Sequence, residues 1–286
     1  MGVQSHALGD RVAKGNTSDV WMWSLTTVVK VLQAGIPRHW ATLEADITSS
    51  VHAAGLPAPA IEDMVEVDGR PGIVFERIEG SSMWDRMKAS PSELPRLAGD
   101  LVELQASVHE ASRIMGLPDL ASRLRDKIAA AKRLTPQERQ RALEALTSLP
   151  GGTALCHGDM HPANVLMSPR GLVIVDWFDA ACGQPLADYA RSSLLMRPPP
   201  VTQPQTSHLA GASHDFLGRL HSAYLHAVAR RHPVEEAPFA AWEAVNVAAR
   251  LSEPVPSGDL VNQWRRWSAR GNIGTSGAAE RPAPHH

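Results

Sequence analysis

Residues 157–180, HGDMHPANVLMSPRGLVIVDWFDA, hold the densest group of chemically capable side chains in the chain. Three acids, two histidines and one asparagine surround two short apolar runs. Apolar runs of this kind are normally buried, and polar groups beside them are costly unless they are hydrogen-bonded or bind a ligand. The pattern therefore indicates a functional centre: a metal site, an acid–base pair or a phosphate-transfer centre.

The two apolar runs, NVLM and LVIV, predict a β-hairpin because the SPRG segment between them has turn chemistry. Asn164 opens the first strand and Asp176 follows the second. A hairpin returns these two positions to the same end, where the HGDMHPA loop also enters. We therefore expect Asp159 to lie in one cluster with Asn164 and Asp176.

Two carboxylates and an amide at one hairpin end favour Mg²⁺, which prefers hard oxygen ligands. If Asn164 and Asp176 hold the metal, Asp159 is left to accept a proton from an attacking hydroxyl group. The spacing matches the H-x-D-x-x-x-x-N loop of kinase-type phosphoryl transfer, with His157 as its first residue. Asp176 takes the position of the second metal-binding acid of that chemistry.

Two other interpretations compete with this one. Asp and Asn often satisfy the backbone of turns and do nothing else. His157, Asp159 and His161 also form an H-x-D-x-H set that could bind zinc. A zinc site needs further ligands, and the histidines later in the chain do not stand in comparable sequence contexts.

Residues 153–192 resemble the aminoglycoside phosphotransferase and choline kinase-like family, through the HGD-x-H-x-x-N motif and the Asp-Trp pair that follows it. The resemblance implies an α+β, bilobal protein-kinase-like fold with a small β-rich N-terminal lobe and a larger helical C-terminal lobe. It also implies ATP or GTP as co-substrate, Mg²⁺ as cofactor and a small-molecule hydroxyl acceptor. These motifs are specific for the family and not for a substrate.

The resemblance also implies a lysine on an N-terminal strand and a glutamate on the next helix. Lys30 stands near the end of the apolar run TTVVKVL, and only Lys14 and Lys30 precede residue 88. We expect Lys30 to contact the α- and β-phosphates of the nucleotide, with Glu44 as its ion-pair partner and Asp46 as the weaker candidate. Taken alone, Lys30 is better explained as a surface lysine at a strand end, and Glu44 as part of a solvent-exposed helix face.

The segment 14–21, KGNTSDVW, takes the place of the family's nucleotide loop. It departs from the G-x-G-x-x-G form and keeps a single glycine. Its backbone amides and small hydroxyl groups can still meet phosphates. The residues expected to do so are Gly15, Asn16, Thr17 and Ser18.

Residues 73–80, IVFERIEG, resemble the hinge that receives the nucleotide base. Backbone groups of Glu76 and Ile78 are expected to pair with the base, and Phe75 to form the back wall of its pocket. A bulky aromatic residue there sometimes accompanies GTP use in this family, so both nucleotides stay open. Plain core packing explains Phe75 equally well.

Asp188, in PLADYA, resembles the family's buried aspartate that braces the catalytic loop, and His157 is expected to brace the loop as well. The acceptor is expected on the helical lobe, between residues 197–214 and 237–268. The candidates for contacting it are Trp242, Glu243, Glu253 and Trp264. Core packing is the alternative for the tryptophans. Few acids and several arginines in this region favour a sugar, a nucleoside-type antibiotic or an anionic group over a strongly cationic antibiotic.

A change of composition near residue 78 predicts how the chain is divided. Residues 1–78 form the nucleotide-binding lobe, residues 79–270 the helical lobe with the catalytic loop and acceptor site, and residues 271–286 a disordered tail. Asp68-Gly69 predicts a hairpin in the first lobe. Helices are predicted over 37–54, 91–114, 119–133, 135–148, 184–196, 213–232 and 237–252.

Composition excludes several classes of protein. A formal net charge of -2 provides no basic field for nucleic acid, and no apolar run of about 18 residues predicts a membrane span. Two cysteines, Cys156 and Cys182, cannot build a disulfide framework or a four-cysteine zinc site. We expect a cytoplasmic protein, monomeric or homodimeric, with no nucleic-acid or membrane partner.

The predicted function is transfer of the γ-phosphate of ATP or GTP to a hydroxyl group of an antibiotic, either an aminoglycoside or one containing a nucleoside or sugar. Such an activity gives resistance or self-protection. The alternative is a metabolic kinase for a sugar, a choline-like amino alcohol or an amino acid. The intact Lys30, Asp159, Asn164 and Asp176 disfavour an inactive kinase fold that only binds, and the missing A-P-E segment disfavours a protein kinase.

Overall fold

The N-terminal part of the chain forms a five-stranded antiparallel sheet. The computed structural model describes residues 8–111, 114–199, 209, 211–233, 236–253 and 258–269. The strands are β1 (Arg11–Lys14), β2 (Ser18–Met22), β3 (Thr27–Leu32), β4 (Ile61–Val67) and β5 (Arg70–Glu76). Their order across the sheet is β1-β2-β3-β5-β4.

Strands β4 and β5 form the hairpin predicted around Asp68-Gly69. Val67 pairs with Arg70, so the loop consists of Asp68 and Gly69 alone. Asp68 and Gly69 both have positive φ, 49° and 73°. This is the backbone that a two-residue type I′ turn requires, and Asp-Gly is among the pairs that adopt it most readily.

Helix α1 (His39–Ala53) lies between β3 and β4 in the chain and packs on the sheet. Its buried Ala45 belongs to one apolar cluster with Phe75 of β5. The sequence predicted this helix over 37–54, close to its actual bounds. Gly55, with a φ of 78°, follows its last turn, where a left-handed residue commonly ends a helix.

The C-terminal part is mostly helical, as predicted. Its helices are α2 (Met83–Ala89), α3 (Leu94–His109), α4 (Leu120–Ala130), α5 (Pro136–Ser148), α6 (Pro185–Met196), α7 (His214–Arg231), α8 (Glu236–Arg250) and α9 (Gly258–Ala269). Side-chain caps fix several starts: Thr135 and Glu138 form a capping box on α5, and Ser213 caps α7. None of the helices in the described ranges is long and apolar enough to cross a membrane.

Short strands interrupt these helices and carry the motif region. Strand β6 (Ser81–Ser82) pairs with β8 (Val165–Ser168), which forms a hairpin with β9 (Gly171–Ile174). Strand β7 (Ala154–Cys156) pairs with β10 (Ala181–Gly183). The hairpin predicted from NVLM and LVIV is therefore confirmed. We keep the division into lobes at residue 78, between β5 and β6, as a proposal.

Two large apolar clusters support the helical part. One contains Leu101 of α3, Tyr224 of α7 and Trp177 beside the hairpin. The other joins α4, α5, α6, α8 and α9. The lobes also touch directly, because Trp40 of α1 packs on Phe178 with ring centroids 4.8 Å apart. The tail predicted over 271–286 and most of the loop predicted between α6 and α7 lie outside the described residues.

Candidate active site

The loop between β7 and β8 carries Asp159 and is tied down from behind by Asp188 of α6. Asp188 is 1% exposed. Its Oδ1 accepts a hydrogen bond from the backbone N–H of Gly158 at 2.7 Å, and its Oδ2 accepts one from the backbone N–H of His157 at 3.3 Å. Gln105 and His109 of α3 each donate to Oδ2 at 2.9 Å. Burial opposes ionisation, but these bonds, led by that from His109, hold the pKa of Asp188 below its usual value.

Gly158 has the backbone that lets the loop pass close to its surroundings. Its φ is 79°, and a Cβ added there would lie 2.5 Å from the carbonyl oxygen of Asp179. Any other residue would both strain the backbone and collide with that carbonyl. Gly158 therefore fixes the path of the chain immediately before Asp159.

His157 holds the other side of the loop. Its Nδ1 accepts a hydrogen bond from the backbone N–H of Asp159 at 3.2 Å, which places the proton on Nε2. Nε2 then donates to the carbonyl of Val175 at 3.2 Å. Burial lowers the pKa of His157, so the ring is neutral. His157 thus links the Asp159 loop to the segment that leads into Asp176.

These contacts of His157 count against the zinc interpretation. Both ring nitrogens are already engaged with the protein, so His157 has no free lone pair for a metal. In the ranges that the structure describes, the group that could hold a metal ion is instead His109, Cys156 and Asp188, with ligand atoms within 4.8 Å of one another. The oxygens of Asp188 are occupied by four donors, and burial keeps Cys156 a thiol by raising its pKa.

The hairpin brings Asn164 and Asp176 together as the sequence predicted. The backbone N–H of Val175 donates to the carbonyl of Asn164 at 2.9 Å, so Asp176 is one residue from the pairing. The Nδ2 of Asn164 donates to the backbone carbonyl of Asp159 at 3.0 Å and to its Oδ2 at 3.3 Å. Asp176 has a left-handed backbone, φ 63° and ψ 63°, which costs a non-glycine residue energy and is typical of functional sites.

Asp176 meets the predicted lysine of the N-terminal lobe. The Nζ of Lys30 on β3 lies 2.6 Å from Glu44 of α1 and 2.9 Å from Asp176. Burial disfavours the charge of Lys30, but the two carboxylates outweigh it and raise its pKa above the ordinary value. Burial raises the pKa of Glu44 to about 6, and the attraction of Lys30 opposes that rise. Lys30 thus forms ion pairs with Glu44 of its own lobe and with Asp176 of the C-terminal lobe, and so links the two lobes.

The Lys30 cluster fits a bound cation. With one positive and two negative groups it carries a formal charge of −1. The Asp176 side chain is 43% exposed, whereas that of Glu44 is 3% exposed. Asp176 therefore keeps part of its carboxylate open to solvent, one residue away from the backbone pairing of Val175 with Asn164. Carboxylate and amide oxygens are the donor set that suits Mg²⁺.

The nucleotide-loop residues form a closed turn between β1 and β2. The N–H of Gly15 donates to the carbonyl of Ser18 at 2.8 Å, and Gln33 holds the turn from β3 through Thr17 and Gly15. Gly15 and Asn16 are exposed, whereas Ser18 is 6% exposed. The backbone around Gly15 and Asn16 is thus the part of this loop open to a ligand.

The predicted hinge begins in β5, an inner strand of the sheet, and continues past the end of that strand. Phe75 is 9% exposed and belongs to the apolar cluster under α1, which agrees with the packing alternative. The N–H of Glu76 donates to the carbonyl of Ala60 at 3.0 Å, so this N–H is not free to pair with a base as predicted. The Glu76 side chain pairs with Arg170 in the turn between β8 and β9, and Ile78 is half-buried.

Two of the four predicted acceptor contacts need correction. Trp242 and Trp264 are 3% and 0% exposed and belong to the core cluster of α4, α5, α6, α8 and α9. Their bulk fills the space between helices, so they do not face an open site. Glu243 accepts a hydrogen bond from Ser193 at 2.7 Å and also pairs with Arg197. Of the four, Glu253 is the one that joins the Asp159 cluster.

Arg191 is the site residue that the sequence reasoning missed. It donates to the carbonyl of Gly158 at 3.2 Å and lies 3.4 Å from Asp159 and 2.9 Å from Glu253. Its position three residues after Asp188 on a predicted helix was the available signal, because such residues share a helix face. Asp179, which had no assigned role, pairs with Lys127 at 2.9 Å.

Comparison with known proteins identifies the class. Residues 11–203, about two thirds of the chain, match the model of the phosphotransferase enzyme family, APH. The chain belongs to this family and is a phosphotransferase with a kinase-like fold. The search of curated proteins gave no match.

Solved structures agree in fold at low sequence identity. A thermostable mutant of aminoglycoside phosphotransferase APH(4)-Ia, in a ternary complex with ADP and hygromycin B, is 17% identical, with a TM-score of 0.63 over 96% of this chain and 97% of that one. A choline/ethanolamine kinase family protein from Mesorhizobium loti is 18% identical, with a TM-score of 0.55 over 96% and 90%. Aminoglycoside phosphotransferase APH(3'')-Id from Streptomyces rimosus is 17% identical, with a TM-score of 0.57 over 87% and 93%.

Proposed function

We propose that this phosphotransferase moves the terminal phosphate of ATP or GTP to a hydroxyl group of a small molecule, with Mg²⁺ as cofactor. The observation that carries the proposal is that two half-sites meet, one formed by Lys30 and Asp176 and the other by Asn164 and Asp159. Lys30 and Asp176 lie 2.9 Å apart although they are 146 positions apart in the chain, and Asn164 lies 3.3 Å from Asp159. One half-site suits a metal-bound nucleotide and the other suits a hydroxyl group that loses its proton.

The roles follow from charge and position. Lys30, held by Glu44, meets the α- and β-phosphates. Asn164 and Asp176 would hold Mg²⁺, which when bound neutralises charge on the phosphate oxygens. Asp159 accepts the proton of the acceptor hydroxyl as the new O–P bond forms and the bond to the β-phosphate oxygen breaks. The nucleoside diphosphate then leaves with that oxygen.

The proposed acceptor is an antibiotic that contains a sugar or nucleoside, modified for resistance or self-protection. Support comes from relatives of the same fold, which were solved with hygromycin B and streptomycin. The match to a choline/ethanolamine kinase family protein favours a second candidate, a metabolic kinase for a small alcohol. An inactive fold is disfavoured because Lys30, Asp159, Asn164 and Asp176 are all present, with Lys30 beside Asp176 and Asn164 beside Asp159.

The test is release of nucleoside diphosphate, measured with ATP and with GTP across aminoglycosides, nucleoside antibiotics, sugars and choline. Wild-type protein is expected to turn over at least one class, and Asp159→Asn to lose that turnover. Asp46→Asn, an exposed acid on α1, is the matched control and should behave as wild type. Nucleotide binding that is unchanged in Lys30→Met, or turnover that is unchanged in Asp159→Asn, contradicts the proposal.

A further inference from the structure

Helix α6 holds Gly158 by both of its backbone polar groups. The N–H of Gly158 donates to Oδ1 of Asp188 at 2.7 Å, and its carbonyl accepts a hydrogen bond from the Nε of Arg191 at 3.2 Å. Asp188 and Arg191 stand three positions apart, so they share one face of the helix. They are 1% and 7% exposed. Helix α6 therefore fixes the backbone immediately before Asp159 from two sides.

Arg191 also meets the carboxylate of Asp159. Its Nη2 lies 3.4 Å from Oδ1 of Asp159, whereas the Nδ2 of Asn164 donates to Oδ2 at 3.3 Å. The two groups approach different oxygens, so together they restrict rotation of the carboxylate about its Cβ–Cγ bond. A proton acceptor works best when its oxygen already faces the hydroxyl group that reacts. The contacts of Arg191 are thus suited to orienting Asp159.

Glu253 holds Arg191 in place. The Nη2 of Arg191 lies 2.9 Å from Oε1 of Glu253, and the Nζ of Lys127 lies 3.4 Å from the same oxygen. The Nε of Arg250 lies 3.6 Å from the other oxygen, Oε2. Burial disfavours the charge of Arg191, but Glu253 and then Asp159 outweigh it and raise its pKa. Arg191 therefore stays a cation, and its shortest ion pair is with Glu253.

The surroundings of Arg191 leave no room for an acceptor molecule. The cavity lined by Arg191, Glu253 and Gly158 measures about 30 Å³, far below the volume of a small-molecule site. The Arg191 side chain is 9% exposed. Any effect of Arg191 on phosphate transfer must therefore pass through the residues that it holds.

We propose that Arg191 is a positioning residue for Asp159: it holds the Gly158 carbonyl and the Asp159 carboxylate so that the acceptor hydroxyl meets the carboxylate in one orientation, and Glu253 holds Arg191. The inference rests on the proposed function, in which Asp159 accepts the proton. Displacement of a reacting group by about 1 Å can cost about 10²-fold in rate. The effect should appear in kcat and not in ATP affinity, because Lys30 lies on a different segment of the chain.

The test replaces Arg191 and measures kcat and ATP affinity separately. The probes are MgATP with water as the acceptor, and MgATP with hygromycin B, glucose or choline; release of ADP gives kcat, and calorimetry gives the Kd of ATP. Arg191→Gln should lower kcat by about 10–10²-fold and leave that Kd unchanged. Arg191→Lys keeps the charge but not the fork of donors, so its loss should be smaller, and it carries the test if Arg191→Gln does not fold. Wild-type kcat in both variants overturns the inference.

Arg139→Gln is the matched control for a loss of stability. Arg139 is a half-buried arginine of α5 that also donates to backbone carbonyls, those of Ala131 and Leu134. Arg139→Gln and Arg191→Gln are both expected to lower the Tm, so kcat is measured well below the lower Tm. At that temperature Arg139→Gln should keep the kcat of wild type. An equal loss of kcat in both variants overturns the inference, because general destabilisation then explains it.

Double variants show whether Arg191 acts through Asp159. In an Asp159→Asn background, Arg191→Gln should cause no further loss of kcat, since the carboxylate that it positions is absent. A further loss by the same factor as in wild type overturns the inference. Glu253→Gln should also lower kcat, and the double variant with Arg191→Gln should match Arg191→Gln alone. Independent, multiplicative effects would contradict the assignment of Glu253 as the residue that holds Arg191.

The same measurements separate this inference from the proposed function. If Asp159→Asn keeps the turnover of wild type, or wild type releases no ADP with any of these acceptors, the proposed function fails and the inference fails with it. If Asp159→Asn loses turnover while Arg191→Gln and Arg191→Lys keep the kcat of wild type, only the inference fails.

Discussion

Replacement of Asp188 by Asn tests how the loop that carries Asp159 is held. Asp188 accepts four hydrogen bonds: Oδ1 takes the N–H of Gly158, and Oδ2 takes donors from Gln105, His109 and the backbone of His157. An asparagine has the same size but one acceptor oxygen. Its best orientation turns that oxygen towards the three donors and its NH₂ group towards the N–H of Gly158.

The expected loss of stability follows from the number of hydrogen bonds that the asparagine cannot make. Two buried donors, the Gly158 N–H and the new NH₂, lose their partners, at about 1–3 kcal/mol each. The remaining bonds lose their charge assistance, which adds roughly 1 kcal/mol. We expect Asp188→Asn to lower the free energy of unfolding by about 4 kcal/mol in total, and the Tm by roughly 8–16 °C if each kcal/mol shifts a large domain by about 2–4 °C.

The assay is urea denaturation followed by tryptophan fluorescence, with Asp46→Asn, an exposed acid, as the control. The pKa of Asp188 is lowered in the folded protein, so its stabilising effect is present above the unfolded pKa of about 3.9 and is lost as pH falls through the folded value. The difference in free energy of unfolding between wild type and Asp188→Asn should therefore shrink in acid.

Under the proposed function, displacement of Gly158 also lowers kcat by about 10²-fold. A destabilisation below about 1 kcal/mol, equal to that of a surface change, would refute the account of the Asp188 contacts.

Four further predictions concern the site and its pH dependence. Asp159→Ala should lower kcat by about 10²–10⁴-fold while ATP affinity stays unchanged by calorimetry, because the proton acceptor is lost and the nucleotide contacts are kept; near-normal turnover would contradict this. Lys30→Met should raise the Kd of ATP by about 10-fold or more, because a charge-assisted contact to phosphate disappears. Asp176→Ala should abolish the effect of Mg²⁺ on ATP binding, and a retained effect would place the metal elsewhere. Burial lowers the pKa of His221 to about 4, so stability should fall as pH drops from about 6.5 towards that value, and His221→Gln should reduce this loss in denaturation curves.

Much of the fold could be predicted from the sequence because local turn, periodicity and capping preferences favour the observed elements. Asp68-Gly69 adopts the turn that its chemistry favours, and the hairpin around SPRG forms where alternating turn and apolar segments placed it. The predicted helices of the C-terminal part lie within a few residues of the actual ones; α3, for example, ends at His109, whereas the prediction extended to residue 114. Hydrophobic periodicity and capping act over neighbouring residues and are therefore visible in one sequence.

The core of the candidate site was also visible, since its spacing is short. Asp159, Asn164 and Asp176 lie within 18 positions, and one hairpin is enough to bring them together. The pairing of Lys30 with Glu44 came from the family resemblance and not from spacing, because a strand and a helix must first pack correctly. The structure places these two residues 2.6 Å apart.

The sequence by itself thus brought together Asp159, Asn164 and Asp176, for which we propose roles in catalysis and metal binding, because motif spacing and a local turn group them. Tertiary packing decided what surrounds them. It put Trp242 and Trp264 in the core and not at the acceptor site, since burial depends on which helices meet. It also placed Arg191 and Arg250 beside Glu253, although α6 and α8 are distant in sequence. The sequence sets which side chains are charged, but which of them form ion pairs depends on distances that only the folded chain fixes.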